Sequence, residues 1–119
     1  MAVKTEKPHA GEFLVSEANG YRSREEVTFA SGTPALEAGE IVAKLDSGGK
    51  WTAFDEDASN GSETGLGVLY AAVDASAADA QGVVIVRDAE VKGELLTVQD
   101  GETLSVAKAD LAAVGIILR

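Results

Sequence analysis

The chain has 119 residues, a formal net charge of −10 and no cysteine. That length suits one small domain with one core. The lack of cysteine excludes disulfides, thiolate metal sites and cysteine nucleophiles, and the acidic balance disfavours nucleic acid and anionic membranes as partners.

Residues 1–12 are polar, contain Pro8 and Gly11, and show no helical or strand periodicity, so they are expected to be disordered in isolation. Phe13-Leu14-Val15 is a short apolar patch able to form one brief strand. Asn19-Gly20 signals a turn. Ser23-Arg24-Glu25-Glu26 fits a helix capping box. The β-branched and aromatic run Val27-Thr28-Phe29, followed by Ser31-Gly32-Thr33-Pro34, instead predicts extended chain over 21–30. The domain proper is expected to begin near Gly32, which makes residues 1–30 a flexible N-terminal arm and residues 31–119 a β-rich domain.

Beyond Gly32, short strands alternate with turns. Residues 39–45 read as a half-buried strand, Asp46 to Gly49 as a hairpin turn and residues 50–54 as the returning strand. A polar loop runs from Asp55 to Thr64. Residues 65–73 read as an apolar strand buried on both faces. Ala75 to Gly82 is a small-residue connection with room for one helical turn. Val83 to Val86 is the clearest strand, and residues 89–97 supply one or two more. The period then changes. Ser105 can cap a helix over 106–113, with Ala107, Leu111 and Val114 on one stripe. Gly115 occupies the stop position, and Ile116-Ile117-Leu118 closes the chain as a strand. The fold class expected is mainly β: a small barrel-like domain with one short C-terminal helix and an extended, partly disordered N-terminal arm.

The core material is light, with 20 alanines against six aromatic residues. Alanine buries little apolar area, so association between copies would supply burial that one chain lacks. The charge is uneven: residues 1–30 sum to −1 and residues 31–119 to −9. No apolar run approaches the roughly 20 residues of a membrane span. The N-terminus lacks the apolar stretch of a secretory signal, so a soluble protein made in the cytosol is expected.

Catalytic constellations are not evident. His9 is the one histidine and lies in the expected arm, where nothing would hold it in place for ligation or triad chemistry. The run Asp55 to Gly61 imitates a calcium loop at Asp55, Asp57 and Ser59. Asn60 then stands where that loop requires glycine, and Leu66 where it requires glutamate. The glycines at 61, 65 and 67 fail both the P-loop and the dinucleotide fingerprints. No enzyme activity, cofactor or metal is expected.

The arm is more informative. Phe13, Val15, Tyr21, Arg22, Arg24, Val27 and Phe29 place aromatic, β-branched and guanidinium groups in extended chain. Such a strip can add to an exposed sheet edge on a partner. Contacts between copies cannot be assigned to residues.

Several segments carry a resemblance when taken in order. They are Ser31-Gly32-Thr33-Pro34, Ala38-Gly39-Glu40-Ile41-Val42, Gly48-Gly49-Lys50-Trp51, Gly65-Leu66-Gly67-Val68-Leu69-Tyr70-Ala71-Ala72-Val73-Asp74, Val83-Val84-Ile85-Val86-Arg87-Asp88-Ala89-Glu90-Val91 and Gly115-Ile116-Ile117-Leu118. From about Phe13 to Arg119 the chain resembles the head decoration proteins of tailed bacteriophages, the lambda protein D type. The resemblance implies a homotrimer on the outer surface of the expanded capsid in the virion. Such a trimer cements the head against the pressure of packaged DNA, and its N-terminal arm orders on the major capsid protein. It carries no catalytic residues over. The competing expectation is a monomeric β-barrel accessory domain that binds a small ligand or carbohydrate.

Overall fold

The computed structural model describes residues 9–18 and 22–119. Among them eight strands form: β1 Leu14–Glu17, β2 Arg24–Phe29, β3 Ile41–Lys44, β4 Trp51–Ala53, β5 Gly67–Leu69, β6 Ala80–Ile85, β7 Ala89–Val91 and β8 Ile116–Leu118. One helix, α1, spans Leu104–Leu111, and single 3-10 turns occupy Gly93–Leu95 and Ala112–Val114.

Five strands close into a barrel in the order β2-β4-β3-β5-β6. The closing seam is the antiparallel pair of β2 and β6, in register from Arg24 opposite Ile85 to Phe29 opposite Ala80. β2 and β4 meet in parallel, through Phe29 opposite Trp51. A separate three-stranded sheet, β1-β7-β8, lies outside the barrel. Its β1–β7 pair is antiparallel with a bulge between Leu14 and Ser16, and its β7–β8 pair is parallel.

Strand alternation divides the apolar residues between two cores. Val42, Leu69 and Val84 join Val27, Phe29, Trp51 and Val73 inside the barrel. Their strand neighbours Ile41, Val68 and Ile85 point the other way, into a cluster with Phe13, Phe54, Val91, Leu96, Ala107, Leu111 and Ile116. Successive side chains of a strand face opposite sides, so β5, the Ile41–Ala43 part of β3 and the Val84–Ile85 end of β6 are buried on both. The strand expected to be half-buried at 39–45 is thus covered on both faces, because the outer sheet and α1 pack over the side that alternation alone would leave to solvent. The outer cluster is sealed by the three-stranded sheet and by α1, whose Ala107 and Leu111 are buried.

Residues 89–97 give one strand, within what was expected, then the 3-10 turn. Two local expectations are corrected. The 75–82 connection contains no helical turn and leads into β6 at Ala80. The helix starts at Leu104, with Thr103 rather than Ser105 at its N-cap. The Thr103 hydroxyl instead donates to Glu56 Oε1 at 2.7 Å, joining α1 to the 55–64 loop.

The point expected between residues 30 and 31 is not a break in the packing. β2 is a barrel strand, β1 pairs with β7, and Phe13 and Phe29 are fully buried. The packed fold therefore extends N-terminally at least to Phe13. Within the expected arm, residues 1–8 and 19–21 lie outside the described residues.

Candidate functional site

The seven residues of the expected partner-binding strip separate into distinct environments. Phe13 is 1% exposed, and its carbonyl accepts the Lys92 N–H at 2.7 Å. Val27 and Phe29 line the barrel interior. These three hold the fold together and present no free side chain to a partner. Tyr21 lies outside the described residues.

Arg24 is half-buried. Its Nη2 lies 2.5 Å from Glu17 Oε1, and its guanidinium stacks 4.1 Å from the centre of the Tyr70 ring. Ser23, fully buried, donates its hydroxyl to Glu17 Oε2. The hydrogen bond from Arg24 holds the Glu17 carboxyl below its ordinary pKa, and Ser23 adds to this against the cost of burial. The cluster fastens β1, in the outer sheet, to β2, in the barrel.

Arg22 and Val15 remain at the surface. Arg22 Nε lies 3.5 Å from Asp88 Oδ2, with both side chains more than half exposed. Val15 sits at the β1 bulge and is 47% exposed. Beyond it the outer face of the three-stranded sheet continues. Ser16 Oγ donates to Glu90 Oε2 at 2.6 Å, Arg119 Nε donates to Glu90 Oε1 at 2.9 Å, and Ile117 stands beside Glu90 in register. The Ser16 hydrogen bond, followed by Arg119, lowers the Glu90 pKa.

Ile117 is 50% exposed, and with Val15 it places two large apolar side chains on this sheet's surface. The strip expected from sequence omitted it. The signal was present in Ile116-Ile117-Leu118: on a strand covered on one face only, the middle residue of three apolar ones must point outward.

A second surface feature is an open cleft of about 510 Å³, lined by Ser31, Thr33, Thr52, Asn60, Gln99 and Glu102 among others. Two of its three carboxylates, Asp55 and Glu102, are engaged in local structure. Asp55 accepts the Asp57 N–H at 3.1 Å and Glu102 accepts the Glu56 N–H at 2.9 Å. The Gly65 N–H, in the glycine-rich segment, is bonded to Asp110 Oδ2 at 2.9 Å. Among the described residues no group of three or more His, Asp or Glu side chains is placed to hold a metal ion, and no helix is long and apolar enough to cross a membrane. His9 lies in the turn before β1, where its carbonyl accepts the Glu12 N–H at 3.1 Å.

Comparison with known proteins places these surfaces in context. A family model described as bacteriophage lambda head decoration protein D matches residues 3–116. No curated protein and no solved structure matches the chain.

Proposed function

The chain belongs to the bacteriophage lambda head decoration protein D family, and from that premise we propose that it binds the outside of an expanded phage head as a homotrimer and stabilises the shell against DNA pressure. The observation that carries this reading is the span of the family match, residues 3–116 of 119. The match takes in the barrel and the outer sheet up to the first residue of β8.

The partner is the major capsid protein, and the site of action is the virion surface, reached after synthesis in the bacterial cytoplasm. The N-terminal segment ordering on the capsid lattice is part of the same proposal. Its contact residues are Val15, Arg22 and Ile117, which the fold leaves exposed, together with Tyr21 and the chain ahead of His9, which lie outside the described residues. A trimer offers three such attachments at once, and linkage raises the effective concentration of the second and third. The light core agrees with association, since burial between copies adds apolar area that one chain lacks. The charge of residues 31–119 disfavours nucleic acid as the partner.

The second reading, a monomeric domain for a small ligand or carbohydrate, draws on the open cleft. It ranks lower because two of the cleft carboxylates, Asp55 and Glu102, already accept backbone N–H groups.

The test is binding to expanded, undecorated capsids by the full chain and by a chain lacking residues 1–8. That truncation spares every described residue, whereas removing residues 1–30 would take β2 out of the barrel. The full chain should saturate the lattice, and the truncated one should remain folded and bind much more weakly. Equal binding by the two would remove the role given to the N-terminal segment, and no binding by either would remove the proposal itself.

A further inference from the structure

The 55–64 loop holds an arrangement of reacting groups that its other contacts do not explain. Asn60 is exposed and is followed by Gly61, whose backbone has φ +103°. A Cβ at Gly61 would lie 2.6 Å from the Lys44 carbonyl oxygen and 2.8 Å from the Asp46 nitrogen. The fold therefore requires glycine here, and so fixes an Asn–Gly pair at the surface. The backbone nitrogen after an asparagine is the nucleophile that can close on the side-chain amide. A glycine at that position leaves it unobstructed.

The neighbouring side chains face the atoms that this reaction uses. The Gly61 N–H donates to Glu63 Oε1 at 2.9 Å, which sets a carboxylate against the nucleophile's proton. Asn60 Oδ1 accepts two hydrogen bonds, from the Ser62 N–H at 3.2 Å and from the Ser62 hydroxyl at 2.6 Å. Ser62 is 3% exposed, so both donors are held in place. The Asn60 carbonyl accepts the Asp46 N–H at 2.8 Å, which anchors the backbone on the near side. Base at the nucleophile and paired donors on the oxygen that gains charge are the two elements that accelerate acyl transfer.

We propose that Asn60-Gly61 is a self-modification site at which Glu63 and Ser62 promote succinimide formation and loss of the Asn60 amide. Gly61 N attacks Asn60 Cγ while its proton passes to Glu63. The N–Cγ bond forms, the Cγ–Nδ2 bond breaks, and Nδ2 leaves as ammonia with the proton returned by Glu63. Solvent water then opens the ring at either carbonyl, giving aspartate or isoaspartate. The product adds a negative charge at the rim of the 510 Å³ cleft. In the isoaspartate form it also inserts a carbon into the backbone, which draws the Asn60 carbonyl away from Asp46. The loop thus carries a slow, irreversible clock, independent of what the protein binds.

The test incubates the full chain, folded and in urea, at mildly alkaline pH. It follows residue 60 by peptide mass and by isoaspartyl methyltransferase labelling. Asn60 should be lost faster in the folded protein than in urea, and Glu63→Gln should slow the folded-state loss about tenfold. Ser62→Ala should slow it too. Ser62 is buried, so the conservative Glu63→Gln change, at a half-buried side chain, is the deciding variant, with its fold checked by circular dichroism. Slower loss in the folded protein than in urea, or an unchanged rate in Glu63→Gln, would overturn the proposal.

Discussion

Two glutamates give this fold opposite responses to acid. Glu17 is held ionised by Arg24 and Ser23, so its folded pKa lies below its unfolded value. Its contribution is present above the ordinary carboxylate range and is lost as pH falls through that range toward the folded pKa. Glu17→Gln should cost about 1 kcal/mol at neutral pH, because the pair is only partly shielded from water. The cost should vanish on acidification, as read from urea melts at a series of pH values. Glu40 behaves in reverse. It is 4% exposed and accepts a hydrogen bond from Gln99 Nε2 at 2.7 Å, and burial raises its pKa despite that bond. A raised folded pKa means its favourable contribution is full below the ordinary carboxylate range and is lost as pH rises through the folded value. Glu40→Gln keeps an acceptor for Gln99 and removes the buried charge. It should be neutral to stabilising at pH 7, by up to about 1 kcal/mol, and should flatten the stability profile just above the ordinary carboxylate range. A clear loss of stability at pH 7 would show that the ionised form is the one the fold prefers.

The elements that decide the fold include β2, which the sequence pattern assigned to an arm. Phe29 is fully buried between β4 and β6, and Phe29→Ala should cost about 3–5 kcal/mol. Deleting residues 1–30 should abolish cooperative unfolding, since it opens the barrel at its longest seam. A truncated chain that still melted cooperatively would show that β2 is dispensable. At the adjoining β5–β6 seam, a Cβ on Gly67 would lie 2.4 Å from Val84 Cγ1 and 2.8 Å from the Ile85 carbonyl oxygen. Gly67→Ala should therefore destabilise by about 1–3 kcal/mol, measurable as a lower urea midpoint with unchanged slope. The strands after Gly32 were legible because alternation and turn residues agree there: β3, β4, β5, β7 and β8 fall within the segments that the pattern picked out, while β6 begins three residues ahead of the expected Val83. The N-terminal strands were harder to place. Val27-Thr28-Phe29 shows extended chain, but nothing local says that its partner is Ala80 to Gly82, some fifty residues away. The helix start was missed because Thr103 serves Glu56, a contact made only by the tertiary fold.

At the scale of the whole molecule, family membership and barrel class were within reach of the sequence, while the partner-binding surface was only partly so. Aromatic and β-branched residues suit both a docking strip and a core strand. Composition therefore could not separate Val15, at the surface, from Phe13, two residues earlier and buried. The outer sheet face became visible only when β1, β7 and β8 were brought together. If association supplements the light core, solution mass should be that of a trimer at micromolar concentration, and a strict monomer would favour the ligand-binding reading. The most direct measurement of the central claim is co-sedimentation of the purified full chain with expanded, undecorated capsids. The account predicts saturable binding in multiples of three copies per site, together with heads that withstand packaged DNA better than bare ones. A chain that stays in the supernatant at every concentration, or that binds without changing head stability, would contradict it.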